Sequence, residues 1–296
     1  MLTLTFLGVG SAFAKRNFNS NALFEFWKKP WKGAKPPTPP DDTLLVDFGM
    51  TGPLAIHELK QKPGFEHLRH ETGMNNYTAI RKVFITHQHA DHIGGLEEMA
   101  LMNFFVFKDK KSGKPFKSEL ISTINILVNL WDHSLKGGLN TIQNRYCLLQ
   151  DYFFIRTMIP GQPKKNNFNM GPYRFEIFPT DHVQIERKYD WPSYGLYIKH
   201  TQTGQTVFYS GDTRFDFPAY SSMLEEASLC FHDCNFFDDP VHAWIEDLKT
   251  LPEEIRRKMY LYHYGDGFDN PNLQPSIAQF KGLTQAHQRY ALFDGK

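Results

Sequence analysis

The sequence is short of cysteine, of net charge and of long apolar runs, and each shortage removes a class of answers. Cys147, Cys230 and Cys234 are the only cysteines in 296 residues. An odd set of three, without zinc-finger spacing, gives neither a disulfide framework nor a thiolate metal site. Free, mostly buried thiols in a reducing interior are expected instead. Lys plus Arg number 33 against 32 for Asp plus Glu, a formal charge of +1. Proteins that grip duplex DNA or tRNA are usually more basic, so nucleic acid is disfavoured as a partner. No N-terminal segment joins a basic start to a long apolar run, so neither signal peptide nor membrane span is read and a soluble, cytoplasmic protein is expected. No internal repeat stands out. With 41% hydrophobic residues the chain has the apolar mass for one sizeable core, and a single domain over residues 1–296 is expected.

What the chain does have is histidine in one place. His87, His89, Asp91 and His92 fall within six consecutive positions. Residues 81–86 before them read as a short apolar strand, and Gly94-Gly95 after them lead into a helix. A strand that ends in a tight loop aims alternating side chains at two adjacent points. His87 and His89 would reach one metal, Asp91 and His92 a second. Nitrogen and oxygen donors without thiolate suit zinc, with manganese or iron as alternatives. One loop does not close two coordination spheres, so the remaining ligands are sought at later strand ends. His182 follows the strand-like residues 172–180, Asp212 closes a β-branched and aromatic run from 207, and His263 ends the run 259–263.

In this order the seven residues resemble the metallo-β-lactamase superfamily, and the likeness runs from Leu2 to about Tyr264. It implies an α/β fold, the αββα sandwich, with a dimetal site at one edge of two packed sheets. It also implies that His87, His89 and His182 hold one zinc, that Asp91, His92 and His263 hold the other, and that Asp212 bridges them. Asp47 matches the superfamily's acid that supports the metal loop. A second motif, His232-Asp233 at the end of a strand followed by His242, is similar to the ribonuclease Z branch, as is the opening Leu7-Gly-Val-Gly-Ser11. By that likeness Asp233 replaces the branch's Glu and partners His242, and Asp91, Asp233 and His242 are the expected catalytic groups. A carboxylate on one ring nitrogen favours imidazolium, which can protonate a departing alkoxide.

The chain departs from tRNA-processing members where they carry a long basic arm. Residues 183–211 read as a plain hairpin, with strands at 193–200 and 205–210 around a turn at 201–204. The resemblance then points to the branch's 3′,5′-cyclic nucleotide phosphodiesterases, among them the anti-Pycsar proteins. It implies a small cyclic nucleotide substrate and a homodimer. Three rivals stand beside it: a tRNA 3′-endonuclease, a thioester or lactam hydrolase, and a protein that sequesters a nucleotide without turnover.

Two segments look like decorations. The Pro-rich, basic loop 27–42 is either a stiff solvated loop or a lid whose Trp27 or Trp31 stacks on a base. Residues 103–165 read as an insertion, entered through the apolar run 96–107, with a basic turn at 108–117, a strand at 121–128 and a short helix at 130–142. His57, His67, His70, His133, His200 and His287 match no motif.

Overall fold

The computed structural model describes residues 1–33, 35–108, 112–185 and 191–293. The first half of the chain supplies β1 (Leu2–Gly8), β2 (Asn21–Phe26), β3 (Asp42–Val46), β4 (Lys82–Phe84) and β5 (Glu119–Thr123). A small hairpin of β6 (Thr141–Ile142) and β7 (Arg145–Tyr146) precedes β8 (Phe154–Met158). Then come β9 (Asn167–Met170), β10 (Tyr173–Thr180), β11 (Ser193–His200), β12 (Thr206–Tyr209) and β13 (Leu229–Asp233). β14 (Met259–Tyr262), β15 (Gly282–Leu283) and β16 (Arg289–Ala291) complete the set.

Two seven-stranded sheets result, ordered β16-β1-β2-β3-β4-β5-β8 and β15-β14-β13-β12-β11-β10-β9. Read from β16 and from β9, each passes through three antiparallel pairings and then three parallel ones. Strands β1 and β2 are buried along their whole length, as the centre of a sheet covered on both faces requires. Phe6 and Phe24 of the first sheet meet aromatic rings of the second. Phe6 lies 5.3 Å from Tyr262 and 5.7 Å from Phe231, and Phe24 lies edge-on to Phe175 at 5.5 Å. Outside the second sheet, Phe208, Cys230 and Met259 pack with Tyr220 and Leu224 of the helix Phe217–Glu226. All three cysteines are free and buried.

The hairpin read at 193–210 is present as β11 and β12. The 103–165 stretch differs from its sequence reading. β5 and β8 within it extend the first sheet, so the stretch is not wholly an insertion outside that sheet. The expected strand at 121–128 ends at Thr123, and Ile124–Leu130 is a helix. Its Ile126, Leu127 and Leu130 are buried at helical spacing, so packing overrides the β preference of the isoleucines. The helix runs on into a π-helical turn, Trp131–Leu135, and a further turn, Lys136–Leu139.

Trp27 and Trp31 do not line the metal edge of this chain. β2 carries Asn21 near the metal loop, where its amide donates to the Asp91 carbonyl, and Trp27 follows the opposite end of that strand. Trp27 is 1% exposed. It packs against Trp31 at 4.4 Å, and Arg289 lies over both rings. Aromatic residues in a Pro-rich loop gain more by closing the bottom of a core than by facing water.

Candidate metal centre

Parallel pairing aligns the C-terminal ends of β3 with β4, and of β12 with β13 and β14. β10 pairs antiparallel with β11, and β11 with β12, so β10 ends on the same side. Asp47, the 87–92 loop, His182, Asp212, Asp233 and His263 therefore all leave strands toward one edge. Close backbone approaches complete the assembly. A Cβ on Gly49 would lie 1.7 Å from the Asp91 carbonyl oxygen, so the turn after β3 can press against the metal loop only as glycine. Asp47 and His263 adopt the left-handed backbone, with φ of 61° and 64°. Such strain in non-glycine residues persists where the surroundings enforce it, typically at functional sites.

The first cluster is His87, His89 and His182. Nδ1 of His89 lies 2.9 Å from Nε2 of His87 and 3.1 Å from Nε2 of His182. Hydrogen bonding on the far side of each ring decides the tautomers. His182 Nδ1 faces the Val241 carbonyl at 2.8 Å and so carries the proton. Thr86 Oγ1 donates to Asp47 at 2.7 Å, and His87 Nδ1, 3.0 Å away, therefore donates to that hydroxyl. Both Nε2 atoms are bare lone pairs, and His89 has too few protons to satisfy them. Burial, followed by the neighbouring His182, brings His89 down to about 4, and burial likewise lowers His87 and His182. Neutral imidazole is the ligating form.

The second cluster is Asp91, His92, Asp212 and His263. His92 Nδ1 donates to Asp47 at 2.8 Å, which leaves its Nε2 lone pair facing Asp91 at 3.2 Å and Asp212 at 3.1 Å. His263 Nε2 faces the same two carboxylates at 3.4 and 3.2 Å. Asp212 is 1% exposed, and among the described residues neither of its side-chain oxygens has a hydrogen-bond donor. Lone pairs turned on carboxylate oxygens repel unless a cation lies between them. Burial disfavours charge on His92, yet Asp212, Asp91 and Asp47 outweigh it and raise its affinity for a proton. The donor set fits a metal at both clusters, and Asp212, 3.9 Å from His87 Nε2, sits between them.

Asp233 and His242 meet beside the second cluster. His242 Nδ1 lies 2.7 Å from Asp233 Oδ2, and Asp233 Oδ1 is 3.5 Å from His263 Nδ1. Asp233 is fully buried and also accepts from the Thr213 amide at 2.9 Å. Burial opposes a charge on His242, but the Asp233 carboxylate outweighs it and the ring is pushed up to about 9. The Glu-to-Asp change thus keeps the pairing, despite one methylene less.

Two contributors escaped sequence reading. Asp239 accepts from the amides of Val241 at 2.8 Å and His242 at 2.9 Å, so it shapes the loop that carries the His182 acceptor and the His242 ring. The Asp-x-x-His spacing was the available signal. Trp191 lies 5.4 Å from His89, ring to ring, with no sequence signature.

A family model described as "Anti-Pycsar protein Apyc1" matches residues 2–290. The chain belongs to the anti-Pycsar Apyc1 family. It is 33% identical over 271 residues to the Apyc1 of Bacillus phage vB_BveM-Goe7, covering 90% of each chain. To the Apyc1 of Paenibacillus sp. (strain J14) it is 32% identical over 295 residues, covering 98% of this chain and 99% of that protein. Among solved structures it resembles the metallo-β-lactamase fold protein YhfI from Bacillus subtilis. The TM-score is 0.63 at 16% identity, over 98% of each chain. The expected fold class, an α/β metallo-β-lactamase sandwich, is borne out, and both of its sheets are mixed. Among the described residues of this Apyc1 relative, no helix is long and apolar enough to cross a membrane.

Proposed function

We propose that this Apyc1-family chain is a dizinc phosphodiesterase that hydrolyses 3′,5′-cyclic mononucleotides to 5′-monophosphates and so defeats cyclic-nucleotide antiphage signalling. The observation that carries this reading is the Asp233–His242 pair, set against Asp212 and His263 of the second metal cluster. His87, His89 and His182 would hold one zinc and Asp91, His92 and His263 the other, with Asp212 shared and manganese the alternative ion. Bound there, the metals would bring the pKa of water towards neutrality and offset charge on the phosphoryl oxygens. In the reaction a water oxygen bonds to phosphorus and gives up one proton to solvent, and the bond from phosphorus to the 3′-oxygen breaks. The 3′-oxygen takes its proton from His242, and a proton from solvent then recharges that ring. Asp233 keeps the His242 ring oriented and charged for that transfer. Among the described residues, the compact hairpin β11–β12 accounts for most of the interval between His182 and Asp212, which favours a small substrate over tRNA. The homodimer implied by the resemblance and the cytoplasmic setting expected from the sequence belong to the same proposal.

The test is His242→Gln with two substrates. Turnover of a cyclic nucleotide should fall by about 10²–10⁴-fold, the usual worth of a positioned acid. Bis(4-nitrophenyl) phosphate, whose leaving group needs no proton, should lose far less. Equal losses on both substrates would remove His242 from the acid role. A zinc-loaded wild type that trims precursor tRNA and leaves every cyclic nucleotide intact would overturn the substrate assignment.

A further inference from the structure

Beside the first metal cluster lies a cavity of about 350 Å³, lined by Gln88 and Trp191, neighbours of His89, and by Asn129, Leu130, His133 and Ser134 among others. Trp191 continues the wall from the metal ligand His89, the two rings tilted by 35°. Gln88 stands between the ligands His87 and His89, and its side-chain amide donates to the Ile126 carbonyl at 2.8 Å. That bond docks the helix Ile124–Leu130 onto the metal loop. The helix then widens into the π-helical turn Trp131–Leu135, which supplies His133 and Ser134 to the lining. Such turns are rare and concentrate at functional sites. Ile93 and Leu130 are buried, whereas His133, Ser134 and Ile185 are exposed, so an apolar interior meets a rim of mixed polarity. A largely apolar cleft with a few polar groups is the usual form of a small-molecule site, and this one lies at the small end of that range.

We propose that this cavity is the nucleobase subsite, with Trp191 as its stacking wall and Asn129, His133 and Ser134 at the base edge. The proposal rests on the cyclic-nucleotide reading above and deepens it. The segment between β5 and β8 then carries the side chains that meet the base edge and Trp191 the one that meets its face, while the ends of the sheet strands carry those that meet the phosphate. Base preference would be set in residues 129–134, away from the metal ligands.

The experiment is calorimetric titration of the zinc-loaded protein with 5′-UMP, 5′-AMP and ribose 5-phosphate, ligands that need no turnover. Wild type should bind at least one nucleotide about tenfold or more tightly than ribose 5-phosphate, as a stacked base implies. Ser134→Trp, which fills the cavity from an exposed position, and Trp191→Ala, which removes the wall, should each erase that margin. Circular dichroism and zinc content identify a variant that has merely misfolded. Nucleotides binding no better than ribose 5-phosphate, or a margin that survives in both variants, would overturn the subsite. If the margin behaves as expected but wild type turns over no cyclic nucleotide, the phosphodiesterase reading fails and the subsite stands.

Discussion

Replacing Asp47 by alanine takes away one carboxylate that Thr86 and His92 both use. Its Oδ1 accepts from the Thr86 amide at 2.8 Å, and its Oδ2 from the Thr86 hydroxyl at 2.7 Å and from His92 Nδ1 at 2.8 Å. All of these groups are buried. Without Asp47 the Thr86 amide and the His92 ring N–H have no acceptor, at about 1–3 kcal/mol each. Alanine at φ 61° adds about 1 kcal/mol of backbone strain. The loss comes to roughly 3–7 kcal/mol, and release of the buried carboxylate's own desolvation favours the lower end. Against a typical total of about 5–15 kcal/mol, that is a large fraction. Asparagine tolerates the left-handed backbone and keeps one acceptor oxygen, so Asp47→Asn should lose about half as much. Urea denaturation in the presence of a chelator measures the loss without a metal contribution. Metal titration should separately show about a 10–100-fold weaker second cluster, since His92 loses the partner that fixes its tautomer. An alanine variant that unfolds at the wild-type midpoint, or an asparagine variant less stable than the alanine one, would refute the reasoning.

Three further outcomes are expected. Asp212→Ala should lower bound metal from about two ions per chain to below one, with near-complete loss of turnover; elemental analysis retaining both ions would end the shared-ligand assignment. Asp239→Ala frees the amides of Val241 and His242. Turnover should drop about tenfold with zinc content near wild type, whereas a parallel fall in zinc would place its effect on His182 instead. Arg289→Met leaves the fully buried Glu25 without its guanidinium, which lies 2.9 Å away, and should cost about 3 kcal/mol in urea melts. The double variant with Glu25→Met should recover much of it, and a double variant less stable than the single one would contradict that account.

Much of the site was legible because metal ligands at strand ends leave two signals at once, residue type and local periodicity. His87 to His92 sit in one loop, and His182, Asp212 and His263 each close a run of β-branched and aromatic residues. Parallel pairing through β13 gathers Asp212 and His263, and two antiparallel pairings bring the end of β10 with His182 to the same side. Asp233 and His242 were readable through a motif, and the pairing distance then followed from the fold. Trp191 was not readable, since its contact with His89 joins segments that belong to different sheets, which no local pattern records. Trp27 and Trp31 misled because a Pro-rich loop with lysines looks solvated, whereas Arg289, distant in sequence, draws the indoles inward. Residues 124–128 misled because isoleucine and valine favour strands in isolation, and only the burial of Ile126, Leu127 and Leu130 against the neighbouring sheet settles the helix.

The first sheet takes its outermost strand from far along the chain. β16 pairs with β1, so Thr3 meets Ala291 across nearly the whole length of the sequence. During synthesis at about 5–20 residues per second, the outer edge of β1 therefore waits tens of seconds for its partner. Until then that edge is an open row of amides and carbonyls, able to pair with another nascent chain. His263 also arrives late, so the second metal cluster cannot be completed on a partly made chain. Yield on expression should thus depend on how fast ribosomes reach residue 291 and on which chaperones attend the open strand, more than on the strength of the finished core.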